Sequence, residues 1–170
     1  MNTFDAFAIL VTKYFDYLEK DYGYKITLKP STSSVSYELN SKQIVVFWDY
    51  SGHHELDLVI YPIPLRQQIP VPSVPIERIM ELKDPKTKGS YYTPLPHTLE
   101  EVEPEIRELA GLLKKYGSDI LSKEISFDKI YKRVQHLRGT NLNNLQEMQE
   151  NMRRMENYYR QKYPTRFKSK

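Results

Sequence analysis

Between Val35 and Ile60 apolar and polar residues alternate with period two in three successive runs. Val35, Tyr37 and Leu39 point one way while Ser36 and Glu38 point the other; Ile44, Val46 and Trp48 repeat the pattern, as do Leu56, Leu58 and Ile60. Such alternation marks strands with one buried face. Asn40–Gln43 and Asp49–Glu55 hold the turn residues Asn40, Ser41, Ser51 and Gly52. The runs therefore predict an antiparallel meander that keeps all their apolar residues on one face. Tyr24 to Leu28 adds a candidate fourth strand.

Before the meander, Phe4, Phe7, Ala8, Val11, Tyr14, Phe15, Leu18 and Tyr22 recur at helical spacing. They predict one long amphipathic helix, capped by Asn2 or Thr3 and ended at Gly23, with its aromatic stripe on the sheet. After Ile60, Pro62, Pro64, Pro70, Pro72 and Pro75 predict an extended connector over 62–75 without regular structure. A short helix follows at Ile76–Leu82, stopped by Asp84-Pro85. Thr98-Leu99-Glu100-Glu101 matches a capping box, but Pro104 interrupts it, which predicts one turn first and the main helix from Pro104 to Tyr116. Further helices are predicted from Ser126 to Gly139 and from Asn141 to Tyr163. The last carries Leu145, Met148, Met152, Met155 and Tyr159 at alternating steps of three and four.

The expected fold class is thus α+β: an N-terminal helix on a three- to four-stranded antiparallel meander, a Pro-rich connector, then about three helices. Residues 1–139 read as one domain and 140–170 as a Met-rich helix with a basic tail.

Composition narrows the class further. The chain has 170 residues, 39% apolar and 28% charged, which suits a globular domain. It has no cysteine, so disulfides, thiolate chemistry and Cys-based zinc sites are excluded. The start lacks the pattern of a signal peptide, and no apolar run is long enough for a membrane span, so a cytoplasmic protein with no membrane partner is expected. The net charge of +3 hides an asymmetry: residues 153–170 carry +6 and residues 1–152 carry −3.

Motifs for catalysis are missing. There is no phosphate-cradling glycine loop, nucleophile elbow or zinc motif, so neither catalytic residues nor a cofactor or metal is expected. His53 and His54 are adjacent in a turn, where their side chains diverge, and read as exposed turn residues. Asp49, Glu55 and Asp57 fall on the sheet face opposite the apolar one, beside Phe47 and Tyr61, and make a candidate acidic interaction surface or carboxylate dyad. Glu100, Glu101, Glu103, Glu105 and Glu108 form the strongest charge cluster; they suit a helix start, and would also draw a basic partner. At the other end, Arg153, Arg154, Arg160, Lys162 and Arg166 make a basic tail that could bind nucleic acid. The Met stripe of the same helix could pack on the body or pair with a second copy as a homodimer.

The segment Tyr14-Phe15-Asp16-Tyr17-Leu18-Glu19-Lys20-Asp21-Tyr22-Gly23-Tyr24, then Val35-Ser36-Tyr37-Glu38, Ile44-Val45-Val46-Phe47-Trp48, Glu55-Leu56-Asp57-Leu58-Val59-Ile60 and Leu109–Leu121 resembles small bacterial α+β proteins of the immunity type, encoded beside secreted toxins. The resemblance spans residues 4 to 125. It implies a protein that binds a toxin-like partner and covers its site, and it brings no catalytic residues. The Met-rich helix after Asn141 departs from the pattern.

Overall fold

The computed structural model describes residues 2–63, 72–138 and 145–164. The meander forms as the alternation predicts, with β2 (Ser34–Leu39), β3 (Lys42–Trp48) and β4 (Leu56–Pro62) paired antiparallel. Register puts Val35 beside Val46 and Leu58, and Tyr37 beside Ile44 and Ile60. Of the nine apolar residues, eight are no more than 2% exposed and Leu39 packs at the margin. Burying side chains of this size contributes roughly 1.5–3 kcal/mol each, so a slip of one residue would forfeit most of the core.

Two more strands widen the sheet. β1 (Lys25–Lys29) pairs with β2, and the short β5 (Val74–Pro75) pairs with β4, giving five strands in the order β1-β2-β3-β4-β5. Pro62 and Pro75 thus sit in strands rather than in an irregular connector. Pro75 is tolerated because β5 is an edge strand, where a missing N–H is no loss. Residues 64–71 of the predicted connector lie outside the described residues. The β2–β3 turn is also tighter than expected: Asn40, at φ +53°, and Ser41 alone join the paired Leu39 and Lys42.

The N-terminal helix is broken where the periodicity predicted continuity. α1 (Thr3–Tyr14) and α2 (Asp16–Lys20) meet at Phe15, which leaves helical geometry at φ −104° and ψ 12°. Thr12 Oγ1 donates to Ala8 O at 2.7 Å, a back-bond that bends helices, and the bend sinks Phe15 and Leu18 completely into the core. Asn2 caps α1 through its side chain, and Gly23 closes the exit of α2 at φ +75°.

The apolar sheet face is covered by α1, α3 (Ile76–Lys83), α4 (Leu99–Gly117) and α5 (Phe127–Arg138), whose buried residues join one core with the strands. α4 is continuous through Pro104, contrary to the predicted restart there. Its inner face buries Val102, Glu105, Ile106 and Leu109, and that packing outweighs the roughly 3 kcal/mol a mid-helix proline costs. α4 starts as the capping box predicts, with Glu101 N donating to Thr98 Oγ1 at 3.3 Å; the Glu101 carboxylate accepts from His97 N at 2.7 Å instead of from Thr98. α6 (Leu145–Lys162) ends the described chain. The predicted stop at Gly139 and start at Asn141 lie outside the described residues.

Long-range polar contacts lock the layers. Trp48 Nε1 donates to Pro96 O at 3.0 Å, Tyr17 Oη to Ala110 O and Tyr24 Oη to Leu121 O. The β2–β3 turn grips the α4–α5 loop: Asn40 Nδ2 donates to Lys123 O, Phe127 N donates to Ser41 Oγ, and buried Lys42 donates to Ser122 O at 2.6 Å and to Ile125 O. Burial pulls the Lys42 ammonium down to about 8.

Candidate functional site

On the second sheet face the register builds three cross-strand rows. Lys29, Ser34, Phe47 and Asp57 form the first; Thr27, Ser36, Val45, Val59 and Pro75 the second; Lys25, Glu38, Gln43 and Tyr61 the third. Phe47 and Tyr61 lie two rows apart on this face, and both line a groove of about 460 Å³. Its other walls are Lys29, Thr32, Ser34, Ser36, Gln43, Val45 and Ser73. No carboxylate is among these lining residues.

The acidic residues predicted beside Phe47 are separated from that groove. Asp49 belongs to the β3–β4 turn: its carboxylate accepts from His53 N at 2.8 Å and from Ser51 Oγ at 3.4 Å, and these bonds hold it below the usual carboxylate range. A Cβ on Gly52 would come 2.4 Å from Asp49 Oδ2, so a larger residue there would have to displace the carboxylate from these bonds. Glu55 is exposed. Asp57, opposite Phe47 as expected, is half-buried and accepts only its own neighbour's amide, Leu58 N, at 2.7 Å. Burial, with smaller contributions from Glu77 and Glu55, pushes its carboxyl up to about 7. Burial and the Asp57 charge push the Tyr91 phenol up as well, and its hydroxyl has no hydrogen-bond partner.

Sequence reasoning read Ser36 as one more outward polar residue. The structure buries it at 0% exposure, and its hydroxyl has no hydrogen-bond partner. A buried hydroxyl in that state costs about 1–3 kcal/mol. Two serines two apart on a strand, beside the apolar Val45 and Phe47, were the available signal. Ser34, by contrast, shares a 2.8 Å hydrogen bond with Thr32. Lys29 Nζ lies 3.5 Å from Gln43 Oε1 and 4.0 Å from Glu38, and its side chain is 38% exposed.

The acidic cluster and the basic tail, predicted as two separate surfaces, meet. Lys162 Nζ sits 2.7 Å from Glu105 Oε2 and 3.1 Å from Glu108 Oε2, and donates to Tyr158 Oη at 2.7 Å. Tyr163 Oη donates to Glu105 Oε1 at 3.2 Å and accepts from Leu95 N, while Tyr159 Oη donates to Thr93 O. Burial opposes the Lys162 charge, but the Glu105 and Tyr158 oxygens hold the ammonium above its ordinary value; burial lifts the Glu105 carboxyl. Of the remaining acids, Glu103 binds Lys13 and Tyr14 on α1, Glu101 caps α4, and Glu100 is exposed. In the tail, Arg154 pairs with Glu150 and Arg160 with Glu156 along the helix, and among the described residues no carboxylate pairs with Arg153. Arg166 lies outside the described residues.

Anchored at its C-terminal end, α6 is exposed from Met152 to Asn157. Met152 is 63% and Met155 40% exposed, one turn apart on the helix. Neither is among the side chains that pack against the core. The His53-His54 pair is likewise no ligand set: His53 is exposed, His54 takes φ +60° and stacks on His97 at 3.9 Å between ring centroids. Among the described residues no group of three or more metal-ligating side chains occurs, and no helix is long and apolar enough to cross a membrane.

Comparisons with protein-family models, with curated proteins and with solved structures find no match to this chain.

Proposed function

We propose that this chain is a cytoplasmic protein-binding module of the kind an immunity-type inhibitor exemplifies, and that the exposed stretch of α6 engages the partner. The observation that carries this reading is the exposure of Met152 and Met155 on a helix whose contacts with the body, among the described residues, gather at its C-terminal end. Unbranched, polarizable Met side chains adapt to irregular apolar surfaces and recur at protein-binding faces. The charges beside them are spent in pairs along the helix, apart from Arg153, so the partner surface is an apolar groove rather than a strongly charged one. The acids Glu101, Glu103 and Glu105 are engaged within the chain, while Glu100 and Glu108 stay exposed, so the acidic segment offers a partner less charge than its sequence does.

The test is stoichiometric co-purification from the native host, comparing the wild type with a Met152→Glu, Met155→Glu double variant. Retention of one partner by the wild type and its loss in the variant supports the reading. Equal retention, or no partner, overturns it. A wild-type dimer that the double variant abolishes, seen by sedimentation, replaces it with self-association through α6. Salt-sensitive binding of DNA or RNA that disappears on removing residues 153–170 replaces it with a nucleic-acid role.

A further inference from the structure

The groove on the second sheet face is separate from α6 and has its own chemistry. Val45 lies between the two aromatic residues, with Phe47 two positions along β3 and Tyr61 on the neighbouring β4, opposite Gln43, which is two positions back from Val45. At about 3.4 Å per residue, the two rings mark the ends of a slot roughly 14 Å long. A volume of about 460 Å³ falls within the range of small-molecule sites.

Among the described lining residues Lys29 brings the one formal charge, Ser34, Ser36, Thr32 and Ser73 bring aliphatic hydroxyls, and Gln43 and Tyr61 add an amide and a phenol. The Ser36 hydroxyl is engaged by no protein atom, and the residue is wholly buried. Glu38, 4.0 Å from Lys29, tempers the cation but lies outside the lining. An apolar slot with aromatic ends, one cation and an unused hydroxyl donor suits a ligand with a flat apolar body and one anionic oxygen group. We infer that this groove binds a small aromatic carboxylate, with its ring along Val45 and Phe47 and its carboxylate shared by Lys29 and Ser36. A cationic ligand would meet Lys29 unfavourably, and a polyanion would find no second cation among the described lining residues.

Amide-resolved NMR titration of the full chain with 1-naphthoate, against the uncharged 1-naphthalenemethanol, tests this. Saturable shifts at Ser36, Val45 and Phe47 are expected, with the alcohol about tenfold weaker. Lys29→Met should weaken naphthoate about tenfold and leave the alcohol unchanged. Ser36→Val should weaken naphthoate yet raise the melting temperature, because it removes the orphan hydroxyl; the opposite signs separate lost binding from a damaged fold. The inference is overturned by non-saturable shifts, by equal affinity for acid and alcohol, by indifference to Lys29→Met, or by shifts centred on the apolar depression at Ile9 and Leu28.

Discussion

Asp57→Asn should stabilise this protein at alkaline pH and leave it nearly unchanged in acid. Most native aspartates are held below their unfolded value and support the fold above it; Asp57 runs the other way, since its folded pKa is about 7 against 3.8. Below pH 4 the carboxyl is protonated in both states and burial costs little. Between pH 4 and 7 the folded protein keeps a proton that the unfolded chain releases, so stability falls as pH rises, and above pH 7 the full cost is present. A shift of about three units corresponds to a ceiling on the order of 4 kcal/mol, and partial water access to the half-buried carboxylate reduces the expected gain to about 2 kcal/mol. Asparagine keeps an oxygen to accept from Leu58 N, so the local backbone loses no partner. Urea unfolding followed by Trp48 fluorescence, at pH 4 and pH 8, measures both ends of this window. Through the size scaling of unfolding entropy, the same gain appears as a rise of about 4–8 °C in melting temperature at pH 8. A variant no more stable than the wild type at pH 8, or a gain equal at both pH values, refutes the burial account of Asp57.

Lys42→Ala should destabilise the fold by about 2–4 kcal/mol, because it strands the carbonyls of Ser122 and Ile125; hydrogen exchange of residues 122–127 should accelerate before the rest of the chain. Since the Lys42 ammonium is depressed to about 8, the wild type should gain stability from pH 8 to 10 by this group, and the variant should lose that slope in denaturant titrations. A double-mutant cycle of Glu105→Gln and Lys162→Met should give a coupling of about 1–3 kcal/mol, with limited proteolysis reporting release of α6. Gly52→Ala should cost about 1–3 kcal/mol in thermal unfolding, through the clash with the Asp49 carboxylate that holds the β3–β4 turn.

Local patterns carried the meander, because period two on a strand reports which side meets the core; the apolar positions from Val35 to Ile60 follow it, whereas the burial of Ser36, Gln43 and Val59 on the other face was not legible in the alternation. The helix break at Phe15 was hidden, since Thr12 bonding back to Ala8 leaves the apolar spacing intact. Pro104 misled for the opposite reason: its local cost is plain in the sequence, whereas the burial of Val102, Ile106 and Leu109 that overrides it is tertiary. The same holds for the candidate surfaces. Glu105 and Lys162 are 57 positions apart, and nothing local says that they neutralise each other. Phe47 and Tyr61 were legible as a shared face from alternation; the groove between them was not, because its depth depends on Lys29, Thr32 and Ser73 from neighbouring segments.

The order in which the layers join has a consequence for synthesis on the ribosome. The meander is complete by Pro62, yet the groups that answer Tyr17, Tyr24 and Lys42 are Ala110, Leu121, Ser122 and Ile125. While the intervening residues are being added, the emerging chain presents a formed apolar sheet that α1, α2 and then the short α3 shelter in part, before α4 and α5 can close over it. Chaperone dependence should therefore peak for chains stalled between residues 62 and 110 and fall once α4 has left the exit tunnel.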